Sequence, residues 1–230
     1  MASGTSRRHY AYNIVGDVIM AKMLILTGPQ GAGNHLWSKV LSLHPEVYGW
    51  KTLLENYWEA HRFAEPFARH WKDHSLLAKF DWTQSKYYFT SISCPLGIIG
   101  SDVNPVWNPN VAGFAQAARA CGVDVEFAVV GRDQTILANQ QTRIRTQPTL
   151  DMLLEQLPNI STPTFLSYEL LYLYKQHYLK SLNLNIPVAW NDSRLDTILA
   201  DDANAKYIHS IDYNELDNGN KLGVTFKEKP

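Results

Sequence analysis

The chain has 230 residues, of which 45% are hydrophobic and 19% charged, the balance of a folded domain rather than of a disordered or collagen-like chain. Its 21 Lys and Arg against 22 Asp and Glu leave a formal charge of -1, so no global positive field draws it to nucleic acid or anionic lipid, and any anion site must be local. Two cysteines, Cys94 and Cys121, form neither a multi-bridge scaffold nor a zinc cluster nor a CxxC pair, which predicts a reducing, cytoplasmic setting.

Charge or glycine interrupts every apolar run well before the ~18 residues a membrane-spanning helix needs. Arg7 and Arg8 precede Ile14, Val15, Val18, Ile19 and Met20, but Gly16 and Asp17 interrupt that run and no small-residue cleavage site follows, so it is not read as a signal peptide. Residues 1–22 read as an extension and residues 23–230 as a single domain.

Met23 to Thr27 is a continuous apolar run, the pattern of a strand buried on both faces of a parallel sheet. Gly28, Pro29, Gln30, Gly31, Ala32 and Gly33 end it and lead into a helix from Asn34 to Leu43, with Leu36, Val40 and Leu41 on its inward face. His44 and Pro45 stop that helix, and Val47 to Trp50 reads as a short strand. From Leu53 to His74, aromatics interleaved with charge predict two amphipathic helices broken near Pro66. These aromatics either grip a substrate or, as the plainer and preferred reading, fill a core. Tyr87 to Ile92 and Gly97 to Ser101 read as strands, Val111 to Ala120 as a helix, and Val125 to Val130 as the clearest strand. Gly131, Arg132 and Asp133 open another helix. Leu150 to Leu157 is helical, Phe165 to Ser167 a short strand, and Glu169 to Leu182 a long helix; the segment from Asp201 is polar and peripheral. Strands alternating with helices predict an α/β fold with a doubly wound, mostly parallel sheet flanked by helices and ligands at the strands' carboxyl ends.

The loop GPQGAGNH has the spacing of a phosphate-binding loop, but Asn34 and His35 stand where that motif has Lys and Ser or Thr. The pair supplies neither the charge that meets the β and γ phosphates nor the hydroxyl that holds Mg²⁺. What remains is an anion cradle of backbone N–H groups from Gly31, Ala32, Gly33 and Asn34 at a helix N-terminus; the bland alternative is a tight β-to-α turn. No metal site is expected.

The chain resembles the sulfotransferase family in several segments, which together span much of its length in the right order. Gly33 to Pro45 (GNHLWSKVLSLHP) is similar to the family's glycine, two small polar residues, apolar helix and His-Pro pair. Residues 123–139 (VDVEFAVVGRDQTILAN) resemble its strand ending in Arg-Asp or Arg-Asn; Arg132 matches that Arg, and the family's Ser position falls on Gln140, beside Asn139. Residues 165–173 (FLSYELLYL) look like its strand followed by Tyr-Glu, and Asp102 to Pro105 like its Asp-Lys-x-Pro turn, without the Lys. The resemblance implies a P-loop nucleotide-binding fold and a donor, 3′-phosphoadenosine 5′-phosphosulfate. Its phosphosulfate would lie in the glycine loop, and its 3′-phosphate on Arg132 with Asn139 or Gln140, since a guanidinium fork matches a phosphate. For Arg132 the plain alternative is a surface ion pair with Asp133 or another carboxylate.

The resemblance further implies transfer of a sulfonate to a hydroxyl or amine of a small molecule or glycan. Gly31 stands where the family has a Lys or Arg. His35, if protonated, and Lys39 are the nearest substitutes, and both also suit ordinary helix positions. The base that takes the acceptor's proton is sought among Glu55, His61 and Asp102; Glu55 and His61 equally suit the exposed face of a helix. Two other classes stay open: a small-molecule kinase, and a catalytically degenerate nucleotide-binding protein. The expected partners are the donor nucleotide and the acceptor, and a homodimer through the aromatic helices stays open.

Overall fold

A computed structural model of the protein describes residues 20–55, 61–97, 105–145 and 148–201. Its first strand, β1 (Lys22–Gly28), lies at the centre of a five-stranded sheet because its side chains alternate between two apolar layers. Met23 and Ile25 point into one layer and Leu24 and Leu26 into the other, all fully buried. The remaining strands are β2 (Val47–Tyr48), β3 (Tyr87–Ser93), β4 (Asp124–Gly131) and β5 (Thr164–Ser167), in the order β2-β3-β1-β4-β5 with every neighbouring pair parallel. The doubly wound expectation holds, and the loop after β1 leaves the sheet between the ends of β3 and β4, where such sheets place their ligands.

Helices cover both faces. On one lie α1 (Asn34–Leu41), α6 (Tyr168–Ser181) and α7 (Leu195–Ala200), contributing Leu36, Trp37, Val40, Leu171 and Leu199 to the layer of Leu24 and Leu26. On the other lie α3 (Val111–Ala120) and α5 (Leu150–Leu154), together with the segment after α2 (His61–Ala64). There Trp71 stacks on Phe114 with ring centroids 3.9 Å apart, and Phe67 is fully buried. The core-filling reading of these two aromatics is therefore correct, while Tyr57 and Trp58 lie outside the described residues. The expected pair of amphipathic helices is replaced, within the described residues, by the single turn of α2 and a 3-10 segment, His74–Lys79. Burial of the large rings, rather than helical periodicity, organises this stretch.

Several boundaries differ from expectation: α1 ends at Leu41 rather than Leu43, and β2 at Tyr48 rather than Trp50. The strand read at Gly97 to Ser101 falls beyond Gly97 outside the described residues, and Gly97 itself follows an isolated antiparallel bridge between Leu96 and Trp107. The helix from Leu150 stops at Leu154, with a separate 3-10 turn over Leu157–Asn159 where Pro158 sits at the helix start. The long helix α6 is broken at Lys175, which has φ 42° and ψ -117°. Between β4 and α5 lies α4 (Gln134–Arg145), whose first turn is capped by Asp133, Oδ1 accepting from Ile136 N at 2.9 Å. Among the described residues no helix is long and apolar enough to cross a membrane.

Candidate functional site

The glycine loop runs from the end of β1 into α1. Gly31 and Gly33 take φ of 83° and 104°, in the left-handed region that glycine adopts without a steric cost. Gly33 is the N-cap of the eight-residue α1, with no side-chain cap hydrogen bond and no acidic residue in the first turn. The helix therefore opens towards the loop with its first-turn amides and the positive end of its dipole. One expected donor is turned away: Ala32 N donates to Pro29 O at 3.2 Å, closing the turn, so the cradle is formed without it.

Asn34 does not reach outward as a lysine at this position would. Its Nδ2 donates to Gly28 O at 3.1 Å and to Ser93 Oγ at 2.8 Å, tying the loop to the end of β3 from below. A Cβ on Gly28 would lie 2.7 Å from Asn34 Oδ1, so the two positions are matched. Gln30 is also structural: its Nε2 donates to Gly97 O at 2.6 Å and its own carbonyl accepts from Gln141 Nε2 at 2.5 Å.

Arg132, from the loop after β4, turns inward and is 4% exposed. Its Nη1 donates to Gly31 O at 3.0 Å and to Gln140 Oε1 at 2.9 Å, and its guanidinium lies 4.4 Å over the Tyr168 ring. The guanidinium thus touches the glycine loop itself. Asp133 caps α4 through Oδ1, and Arg132 is buried rather than on the surface where an ion pair was considered. Of the two residues considered beside Arg132, the helix turns Gln140 towards it and leaves Asn139 exposed.

A second polar group lies beside α1. His35 packs against Trp50, ring centroids 5.2 Å apart, and Trp50 meets His61 edge-on at 5.7 Å. His61 Nε2 lies 2.5 Å from Ser91 O, and Glu65 Oε2 lies 3.9 Å from the same nitrogen. A carbonyl oxygen only accepts, so Nε2 carries the hydrogen and Nδ1 keeps its lone pair. That Nδ1 is buried and has no hydrogen-bond partner among the described residues. Burial, above all, holds the His61 imidazole down to about 4, with the nearby His35 adding to the effect against the Ser91 bond. It is therefore a neutral imidazole at neutral pH. Glu65 accepts from Thr90 Oγ1 at 2.6 Å and Phe67 N at 2.8 Å, and Thr90 Oγ1 in turn accepts from Trp71 Nε1 at 2.9 Å. Burial pushes the Glu65 carboxyl up to about 8 despite these donors.

No family model matches the chain, and neither a curated protein nor a solved structure matches it.

The other candidates are placed apart. Lys39 lies in the last turn of α1, at the end remote from the loop. Glu55 is exposed at the end of the 3-10 turn Lys51–Leu54. Asp102 lies outside the described residues. His61 is buried rather than on the exposed face of a helix. Sequence reasoning missed Tyr168, Gln141 and Glu65. Tyr168 was visible as part of a motif, but its role needs the α6 start to be brought over the loop; nothing in the sequence marks Gln141 or Glu65. Among the described residues no group of three or more His, Cys, Asp or Glu could hold a metal ion.

Proposed function

We propose that this protein is a sulfotransferase-type P-loop protein that binds an adenosine bisphosphate nucleotide and transfers sulfonate to a hydroxyl or amine acceptor. The observation that carries the reading is the contact of Arg132 and Gln140 with the glycine loop, Nη1 to Gly31 O at 3.0 Å. Two segments far apart in sequence, assigned by resemblance to the two ends of one nucleotide, meet at one spot. A glycine loop with no cation of its own gains a buried guanidinium at its rim, which suits an anion bound by amides and one fork.

The donor supplies an activated sulfonate with adenosine 3′,5′-bisphosphate as leaving group. In the transfer a new bond from sulfur to the acceptor's oxygen or nitrogen would form as the S–O bond to the donor phosphate breaks, and the acceptor would lose its proton. The uncapped amides of α1 hold negative charge at the loop, and Arg132 with Gln140 holds the 3′-phosphate beside it. His61 is the proton acceptor, because its Nδ1 carries a lone pair and the ring is neutral at neutral pH. Of the substitutes for a loop cation, His35 is the one beside the loop, at the second position of α1.

A second reading, a nucleotide-fold protein that binds without transferring, is favoured by Asn34, whose amide is spent on Gly28 and Ser93. The test is thermal denaturation with adenosine 3′,5′-bisphosphate, with ADP, and with ATP plus Mg²⁺. A ligand at ~100 times its dissociation constant stabilises by about 2.7 kcal/mol. Selective stabilisation by the bisphosphate, lost in Arg132→Ala and kept in part in Gln140→Ala, supports the first reading. Release of bisphosphate from the phosphosulfate donor in an acceptor screen separates it from the second. Preference for ATP with Mg²⁺ would replace both with a kinase, and indifference to all three nucleotides would remove the nucleotide site.

A further inference from the structure

Among the described residues, the outer edge of β3 is left without a strand after its first two residues, because β2 pairs only Val47 with Tyr87 and Tyr48 with Tyr88. Further along that edge, Ser91 finds both of its backbone partners in side chains from the α2 turn. Its carbonyl faces His61 Nε2 at 2.5 Å, and its N–H is bonded by the Glu65 carboxyl. His61 and Glu65 are one helical turn apart, with Glu65 N donating to His61 O at 3.2 Å. Together they stand in for the missing strand, one as donor and the other as acceptor.

We infer that Glu65 is a positioning residue for His61: by clamping Ser91 and the α2 turn together, it keeps the imidazole in the Nε2–H form and leaves Nδ1 as the nitrogen that takes a proton. The use of that proton rests on the function proposed above, whereas the tautomer does not. Glu65 is itself held on three sides, by Thr90 Oγ1, Phe67 N and Ser91 N, and the Thr90 hydroxyl is aimed by Trp71 Nε1. It is 3% exposed, so the clamp is not loosened by solvent. When Nδ1 takes a proton, Nε2–H stays on Ser91 O and no hydrogen bond has to be exchanged. The Glu65 carboxyl, Oε2 at 3.9 Å, then faces the imidazolium as a neutral acid below about pH 8, while His35 on α1 opposes that charge. Trp50 closes the remaining described flank with its ring edge-on.

The test is long-range proton–nitrogen NMR on the full chain with labelled histidine, followed over pH. In the wild type His61 should give one pyrrole-like nitrogen at Nε2 and one pyridine-like nitrogen at Nδ1. Glu65→Leu, which removes every acceptor of the clamp, should give a mixture of tautomers. Glu65→Gln keeps an amide oxygen for the backbone donors and should restore the single form with the pH of His61 protonation little changed, because Glu65 is already a neutral acid where His61 titrates. If Glu65→Leu does not fold, Thr90→Val, which removes the hydroxyl on Oε1, should show a second tautomer. An Nδ1–H form in the wild type, or an unchanged single tautomer in folded Glu65→Leu or in Thr90→Val, would overturn the inference. Bisphosphate binding is scored separately by thermal shift, so loss of the nucleotide reading leaves the tautomer result standing, and the reverse.

Discussion

The Tyr168 ring occupies the space that a side chain on Gly33 would need: a Cβ there would lie 2.5 Å from Tyr168 Cδ2. The same ring carries the Arg132 guanidinium at 4.4 Å, so one aromatic residue at the start of α6 holds both the glycine loop and its cation. Gly33→Ala meets two penalties, the ring and a φ of 104°. It should destabilise the protein by roughly 2 to 4 kcal/mol, combining backbone strain with overpacking. Urea denaturation checks this, and an unchanged midpoint would mean that Tyr168 does not sit on Gly33. Tyr168→Phe retains the ring face and should preserve bisphosphate binding.

Asn34 and His35 are the two positions at which the loop departs from a nucleoside-triphosphate loop. The double variant Asn34→Lys, His35→Thr restores the charge and the metal-binding hydroxyl of that motif. It also removes the Asn34 bonds to Gly28 and Ser93. The expected outcome is some loss of thermal stability together with a new, Mg²⁺-dependent stabilisation by ATP that the wild type lacks. Calorimetry with and without Mg²⁺ reads it; no gain of binding would show that the loop backbone does not have a phosphate-binding shape.

Two buried titratable groups, His61 and Glu65, pull stability in opposite directions with pH. His61, held down to about 4 from 6.5, contributes fully above pH 6.5 and loses that contribution as pH falls towards 4. Glu65, raised to about 8 from 4.5, contributes fully below 4.5 and loses it as pH rises towards 8. Between pH 4.5 and 6.5 the slopes offset each other. From 6.5 to 8 only Glu65 titrates, and stability should fall by about 2 kcal/mol at roughly 1.4 kcal/mol per unit. Denaturant titrations across this range should show the decline, and Glu65→Gln should abolish it; a decline that persists in that variant assigns it to another group.

Trp71 has two roles that one substitution separates. Trp71→Phe keeps a ring on Phe114 but removes the Nε1 donor to Thr90, and should cost about 1 kcal/mol. Trp71→Ala also leaves a cavity in the layer, for which about 3 to 5 kcal/mol is expected. Equal losses in the two variants would mean that the hydrogen bond, not the packing, dominates.

Sequence alone determined the order of elements and the place of the loop. Met23 to Thr27, Val125 to Val130 and the glycines after Gly28 are local signals, since a buried parallel strand must be apolar on both faces and a sharp β-to-α turn must have residues free of Cβ strain. Arg132 was singled out by the resemblance of residues 123–139 to a family segment, and its place directly after β4 follows from that strand's apolar run. What the α2 region does was not legible, because its aromatics answer to a core assembled from distant elements and not to a helical period. Only the tertiary structure decided that Gln140 rather than Asn139 meets Arg132, that Tyr168 covers Gly33, and that His61 and Glu65 complete an edge where β2 ends early. Each of these depends on which side of an element faces which neighbour, and that is settled by packing across the sheet, where residues far apart in the chain compete for the same space.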